Sequence, residues 1–239
     1  MTDIEIYFDS TQKPWGRLFY QILWEQLSFA RNMSILDFGS GFGITSNYMA
    51  ADNDVMALEP NEKMCEMRIQ NNEYQQVLGG IEYLHALKDK QFDLILCHNV
   101  LEYLDDREEV FGCISGLLKK DGVLSIVKHN HLGRVMQKAV FDNDASQAVD
   151  LLNGKVAYAQ SFGEIRYYDL VTLYRLAEKY SMRVADAFGI RTFFALYPDN
   201  SVKYSEDWID AMFVLEKKAS NIDAFKNIAF FNHIIFKKL

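Results

Sequence analysis

Proline and cysteine are scarce in this chain: 239 residues contain only three of each. With so few prolines, and with no Pro/Ser-rich stretch, repeat or low-complexity tract, no linker is visible at which to divide the sequence. One domain spanning residues 1–239 is expected, a length that one large core can serve. Cys65, Cys97 and Cys113 form an odd set without CxxC or CxH spacing, so neither a disulfide framework nor a metal site is expected. Cys97 lies in an apolar run and reads as a small core residue. No apolar run approaches the roughly 20 residues that cross a bilayer, and no membrane partner is expected. The opening Met1-Thr2-Asp3-Ile4-Glu5 lacks the basic-then-apolar order of a signal peptide, which makes cytoplasmic residence the default expectation. Positive charge is short as well. Against 33 acidic residues stand 25 Lys and Arg, a formal net charge of −8. That balance argues against a broad nucleic-acid-binding face, but leaves room for a local basic patch gripping one RNA loop.

What the chain does have is alternation. An amphipathic helix over about Trp15–Ala30 belongs to an N-terminal helical segment, residues 1–32. A short apolar run at Met33–Phe38 follows, then Gly39-Ser40-Gly41-Phe42-Gly43 and a helix to about Ala51. Asp54–Glu59 reads as a second buried strand, with Asn61 as N-cap of a helix to about Asn71. Tyr74–Leu78 is a weak third strand and Ile81–Leu87 a short helix. Phe92–Cys97 is the clearest strand, followed by a helix over Asp106–Leu118. Lys120-Asp121-Gly122 then turns into a strand at Val123–Val127. The alternation predicts an α/β fold with a doubly wound, mostly parallel, seven-stranded sheet. Residues 129–165 interrupt it after the fifth strand as a partly helical insertion, placed to cap a ligand crevice. The pattern resumes with a helix at Asp169–Tyr180, a strand near Arg183–Phe188, a helix at Ser205–Lys217 and a last strand at Asn227–Phe236.

The most informative stretch is Leu36-Asp37-Phe38-Gly39-Ser40-Gly41-Phe42-Gly43. Glycines directly after a buried strand let the backbone approach a ligand without an intervening Cβ. A dinucleotide site wants GxGxxG, whereas here the third glycine comes one residue early and an Asp precedes the first. Glu59 closes the next strand, twenty residues after Gly39, where a carboxylate can accept both hydroxyls of a ribose. Alone, the glycine run occurs in many folds, and Glu59 could be a surface residue opening a turn before Pro60. Together the pair is specific. His98 follows the Phe92–Cys97 strand and falls at the carboxyl edge where open α/β sheets bind ligands. A lone histidine is more often a hydrogen-bonded structural residue. Glu102, one turn beyond, reads as a helix-start residue.

On these residues the chain resembles the class I methyltransferases, with Asp37 to Gly43 as their first motif and Glu59 as the ribose acid. Between residues 7 and 194 it is similar to one branch, the tRNA 5-carboxymethoxyuridine methyltransferases, which esterify a carboxylate on a modified wobble uridine. The matching segments include Gln21-Ile22-Leu23-Trp24, Phe92 to Glu102, Gly122-Val123-Leu124-Ser125, Asn130 and Gly189-Ile190-Arg191-Thr192-Phe193. The resemblance implies S-adenosyl-L-methionine as cofactor. It places Gly39 and Ser40, with Asp37 and Gly41 in the same motif, at the methionine part and Glu59 at the ribose. Ile81 and Glu82 would flank the adenine, and His98 would lie against the cofactor. The family's N-terminal helix carries an arginine for the cofactor carboxylate. Phe19 stands at that position here; Arg17 or Lys13 could substitute, and which one, if either, is open at this point.

For the substrate, Arg191 and Arg166 are the candidate anion-binding residues, because a guanidinium can clamp a carboxylate with two parallel hydrogen bonds. The plainer reading of each is a surface ion pair. Lys128, His129, His131, Arg134 and Lys138 make the insertion the most basic region of the chain, as a local patch or a solvated helix face. Phe225, Phe230, Phe231 and Phe236 read as core. Three functions remain in play: methylation of a tRNA carboxylate, methylation of the oxygen or nitrogen of a small metabolite, and a non-catalytic cofactor-binding or nicotinamide-binding protein.

Overall fold

Short apolar runs bounded by glycine and Asx residues form the strands of this chain, and the computed structural model describes them through residues 2–155, 157–159 and 163–239. Residues 156 and 160–162 of the expected insertion lie outside the described residues. The strands are β1 (Ser34–Phe38), β2 (Asp54–Glu59), β3 (Gln75–Leu78), β4 (Phe92–His98), β5 (Leu118–His129), the small pair β6 (Ala157–Ala159) and β7 (Gly163–Ile165), β8 (Met182–Ile190) and β9 (Phe231–Lys238). The helices are α1 (Asp3–Gln12), α2 (Pro14–Gln26), α3 (Ile44–Met49), α4 (Glu62–Glu66), α5 (Ile81–Ala86), α6 (Arg107–Leu117), α7 (His131–Met136), α8 (Ala145–Leu152), α9 (Leu170–Lys179), α10 (Glu206–Ala219) and α11 (Asp223–Lys226). Seven strands make one mostly parallel, doubly wound sheet in the order β3-β2-β1-β4-β5-β9-β8, while β6 and β7 pair antiparallel on their own.

The chain packs as two units, and the larger part of the sheet lies in the second, residues 27–127, 168–186 and 234–239. Its core joins strand residues such as Leu36, Leu58, Ile95, Ile126 and Phe236 to the inward faces of α5, α6 and α9 through Leu84, Phe111, Ile114 and Leu173. Cys97 is buried in this core, as expected of a small apolar residue. β1 has β2 on one side and β4 on the other, both parallel to it. Chain order therefore reverses between β1 and β4, and their carboxyl ends open the crevice where such sheets bind ligands.

Local signals set several ends. Asn61, Asp106 and Asp169 each accept a hydrogen bond from the backbone three residues on, so α4, α6 and α9 start where their Asx residues place them. Other ends were decided by tertiary partners. α4 stops at Glu66 rather than running to Asn71, because Ile69 donates its N–H to Phe42 O and Asn71 donates to Asn47 Oδ1. The Lys120–Gly122 turn lies inside β5. Phe92 pairs with Leu118 and Leu94 with Val123, which leaves the intervening residues as an irregularity with Asp121 at a φ of 62°.

The first unit, residues 1–26, 128–167 and 187–233, holds α1, α2, α7, α8, α10 and α11. The helix expected over Trp15–Ala30 begins at Pro14 and ends at Gln26, with α1 before it. Proline suits the first helical position and disfavours helix in the residue before it, which separates α1 from α2 at Lys13. Within the unit Phe19 packs edge-on to Phe231 at 4.9 Å, and Asn130 donates to Asn227 O and Ala229 O. α7 passes into a π-helical turn at Gln137–Phe141 before α8.

Gly43, at φ 63°, is the tightest of the loop glycines: a Cβ there would lie 2.1 Å from Tyr74 Oη. Gly43→Ala is expected to destabilise the protein by at least the roughly 1–3 kcal/mol of backbone strain, read as a lowered midpoint in urea unfolding.

Candidate active site

The glycine loop follows β1, and the hydrogen bonds that shape it are internal. Gly39 and Ser40 donate their N–H groups to Leu58 O at 2.8 and 3.1 Å, Gly43 donates to Ser40 O, and Gly41 donates to Glu59 Oε2 at 2.8 Å. A phosphate site needs such N–H groups free to point at the ligand. Here they are already bonded, which suits a cofactor without phosphate.

Three features leave room for such a cofactor. Gly41 sits at φ 56°, and a Cβ placed on it would meet nothing within 4 Å, so the backbone borders open space. The Ser40 hydroxyl oxygen is buried and has no hydrogen-bond partner among the described residues. Glu59 accepts from Gly41 N with one carboxylate oxygen and from Asn61 N with the other, at 2.9 Å. Each carboxylate oxygen can accept a second bond, so capacity for two hydroxyls remains. Burial raises the pKa of Glu59, and the two backbone donors oppose that rise. The methionine and ribose parts of S-adenosylmethionine fit these groups.

Asp37 lies deeper. Its carboxylate is buried and accepts a 2.6 Å bond from the Ser46 hydroxyl. Burial is the main reason its pKa is pushed up to about 6; the Ser46 bond opposes the rise, and the nearby Glu59 charge adds to it. His98 ends β4 with Nε2 2.8 Å from Ser125 Oγ, and burial pushes its pKa down to about 3, so the ring is neutral at physiological pH. This is a hydrogen-bonded histidine at the carboxyl end of β4. Glu102 sits in a single 3-10 turn, Leu101–Tyr103, and is buried. Ile81 is half-buried at the start of α5, while Glu82 is exposed and its carboxylate accepts from Gly80 N at 2.6 Å. Glu82 thus caps its own helix start.

The first unit holds the substrate candidates. Arg191 sits at φ 62°, and the turn after it is fastened by Glu216, whose buried carboxylate accepts from the N–H groups of Thr192, Phe193 and Phe194, each at 2.8 Å. The Arg191 guanidinium lies over the rings of Phe230, Phe194 and Phe231 at 5.2, 5.5 and 5.8 Å. Its buried Nε has no partner among the described residues, and burial lowers its pKa to about 10. Lys203, which no sequence motif marks, is 3% exposed with its ammonium 4.6 Å from the Phe194 ring and 4.7 Å from Phe141. Burial and the charge of Arg191 lower its pKa to about 8. Aromatic faces return about 0.5–2 kcal/mol to a cation, less than the several kcal/mol that desolvating one costs. Arg166 is exposed, as is Arg17 on α2, and Lys13 is paired with Asp9 at 3.2 Å. The expected basic patch is not a continuous basic surface. Lys128 is buried and donates to His129 O, Lys138 is paired with Asp142 at 2.8 Å, and Arg134 lies over Phe230. Of these charges Lys138 is paired and Lys128 is withdrawn from the surface, while Arg134 donates to the neutral Gln137.

Comparison with known proteins points to the same cofactor. Residues 36–126 match a family model described as a methyltransferase domain. The tRNA 5-carboxymethoxyuridine methyltransferase of Escherichia coli K12 is 24% identical, over 93% of this chain and 89% of its own. An S-adenosylmethionine-dependent methyltransferase from Archaeoglobus fulgidus superposes with a TM-score of 0.62 at 20% identity, covering 97% of this chain and 99% of that one. The plantazolicin methyltransferase BpumL, solved in complex with SAH, superposes at 0.58 with 16% identity, over 98% and 88% of the two chains. The fold is the Rossmann-like fold of these enzymes. The chain is an S-adenosylmethionine-dependent methyltransferase. Among the described residues no helix is long and apolar enough to cross a membrane, and no group of three or more His, Cys, Asp or Glu could hold a metal ion.

An acid whose folded pKa is raised destabilises the fold above that pKa and does nothing below its unfolded value. Asp37→Asn is therefore expected to be as stable as the parent near pH 4. It should become more stable as pH rises to about 6, reaching a gain on the order of 3 kcal/mol. Urea unfolding from pH 4 to 8 measures the difference; a constant gap would mean that Asp37 is not the titrating group.

Proposed function

We propose that this enzyme methylates a carboxylate, that of 5-carboxymethoxyuridine in tRNA, and forms a methyl ester. The observation that carries the reading is Arg191: a guanidinium largely withdrawn from water, on a turn fastened by Glu216, with an N–H group still unpartnered among the described residues. Such a donor suits an oxyanion, and the similarity to the Escherichia coli tRNA enzyme supplies the identity of the acceptor. A carboxylate is ionised at neutral pH and needs no general base. Consistent with this, His98 is neutral and already hydrogen-bonded, and Asp37 is engaged with Ser46.

Glu59 is proposed to hold the ribose hydroxyls, Ser40 and Gly41 the methionine end, and Ile81 with Glu82 the adenine. Arg17 takes the role of the family's helix arginine, and Arg166 approaches the substrate from the surface. S-adenosylmethionine supplies an activated methyl group on a sulfonium. The chain's own task is to hold the acceptor oxygen in line with it, and orientation of this kind is worth roughly 7–11 kcal/mol of barrier. A second reading, methylation of a small metabolite, draws on the paired and buried state of the insertion's basic residues in a chain of net charge −8.

Two measurements bear on these roles. Glu59→Gln is expected to weaken SAH binding about 10- to 100-fold, as loss of a charged hydrogen-bond acceptor does; calorimetric titration with unchanged affinity would remove Glu59 from the ribose. The acceptor is tested by transfer of radiolabelled methyl into bulk tRNA lacking the wobble ester. Alkali-labile label is expected, with a loss of tenfold or more in Arg191→Ala. Label absent from RNA while SAH still binds would hand the case to the small-metabolite reading.

A further inference from the structure

The proposed role of Arg191 leaves two other cations of the first unit unexplained. Lys203 is almost fully buried, and no hydrogen bond or ion pair to its ammonium is found among the described residues; two phenylalanine rings are its recorded neighbours. Arg134 donates from Nη1 to Gln137 Oε1 at 2.5 Å, but its buried Nε has no partner among the described residues. The three cations are close enough to act on one another. Arg191 and Lys203 lie against the same Phe194 ring, and Arg191 and Arg134 against the same Phe230 ring. Arg191 disfavours protonation of Lys203, and Arg134 disfavours protonation of Arg191.

Among the described residues two carboxylates oppose them, Glu216 at Arg191 and Asp199 at Lys203, and neither neutralises the set. Glu216 has its oxygens on three backbone N–H groups, and Asp199 is exposed and bonded to Ser201 N and Oγ. Three cations against two such acids leave the cluster net positive within an acidic protein. Burying like charges together with donors unsatisfied is unfavourable unless a ligand completes them.

We propose that Lys203 and Arg134 complete, with Arg191, an oxyanion-binding site walled by Phe194 and Phe230, and that the carboxylate of the methyl acceptor occupies it. This deepens the carboxylate reading of the previous section and rests on it for the identity of the anion. The site takes a carboxylate attached to a flat or apolar group, because its charged donors are surrounded by aromatic rings rather than by further polar side chains. Lys203, buried, and Arg134, half-buried, are then cations on the substrate carboxylate beside Arg191, in addition to Arg166 at the surface.

The test uses the full chain and acetate as probe, compared with chloride at equal ionic strength. Acetate is expected to raise the melting temperature of the parent by 2 °C or more. Lys203→Met should lose at least half of that shift while melting no lower in chloride, since a buried unpaired charge has been removed; Lys203→Arg should keep the shift. With tRNA lacking the ester, Lys203→Met is expected to lower kcat/KM tenfold or more with SAH affinity unchanged, and Lys203→Arg to restore it in part. An undiminished acetate shift in Lys203→Met overturns the proposal, whatever tRNA does. A shift that depends on Lys203, in an enzyme that puts no label into tRNA, supports the site and instead refutes the tRNA acceptor.

Discussion

The Glu59 carboxylate is the contact on which the cofactor site depends. One oxygen receives the Gly41 N–H and the other the Asn61 N–H, so a single side chain ties the glycine loop to the end of β2 and to the start of α4. The loop cannot hold its shape through its own side chains, because three of its residues are glycines at positive φ. It is shaped instead by what receives its N–H groups: Leu58 O for two and Glu59 for a third. Glu59 therefore fixes the loop while each of its oxygens keeps capacity for a second hydrogen bond. Its burial, together with that of Asp37, raises both acids, and backbone N–H donors offset that for Glu59 as the Ser46 hydroxyl does for Asp37.

The first unit uses the same device with a different result. Glu216 accepts three consecutive N–H groups, and this fastens the turn that carries Arg191 in the left-handed region. A non-glycine residue there costs on the order of 1–3 kcal/mol, which persists only where the surroundings over-determine it. The turn delivers a guanidinium onto a floor of phenylalanines, away from the ion pairs a surface arginine finds. In both units a buried carboxylate shapes backbone first, and the group presented to a ligand follows from that shape.

Legibility in the sequence followed the range of the interaction. β2 and β4 were readable because buried parallel strands are continuous apolar runs, and their ends fell where Glu59 and His98 interrupt them. α6 and α9 were readable from Asp106 and Asp169, whose capping bonds span three residues. The break between α1 and α2 was also local, in Pro14, but the apolar periodicity hid it. The shortening of α4 could not be foreseen, since it depends on Phe42 and Asn47, more than twenty residues away. Nor could Lys203 or Glu216 be picked out. Each looks like an ordinary charged residue near or on an amphipathic helix, and only packing shows that both are buried.

By itself, then, the sequence determined the seven strands of the main sheet, most of the helices between them and the class of cofactor, because these rest on runs of apolar residues and on glycines adjacent in the chain. Which charges are left without a partner was decided only by the tertiary structure. The sequence displayed a basic insertion, yet Lys138 closes on Asp142 and Lys128 is buried against the backbone, while Arg191 and Lys203 are withdrawn onto shared aromatic rings. The strength of a charge's interactions depends on its distance to every other charge and on its exclusion from water, and both are properties of the folded chain.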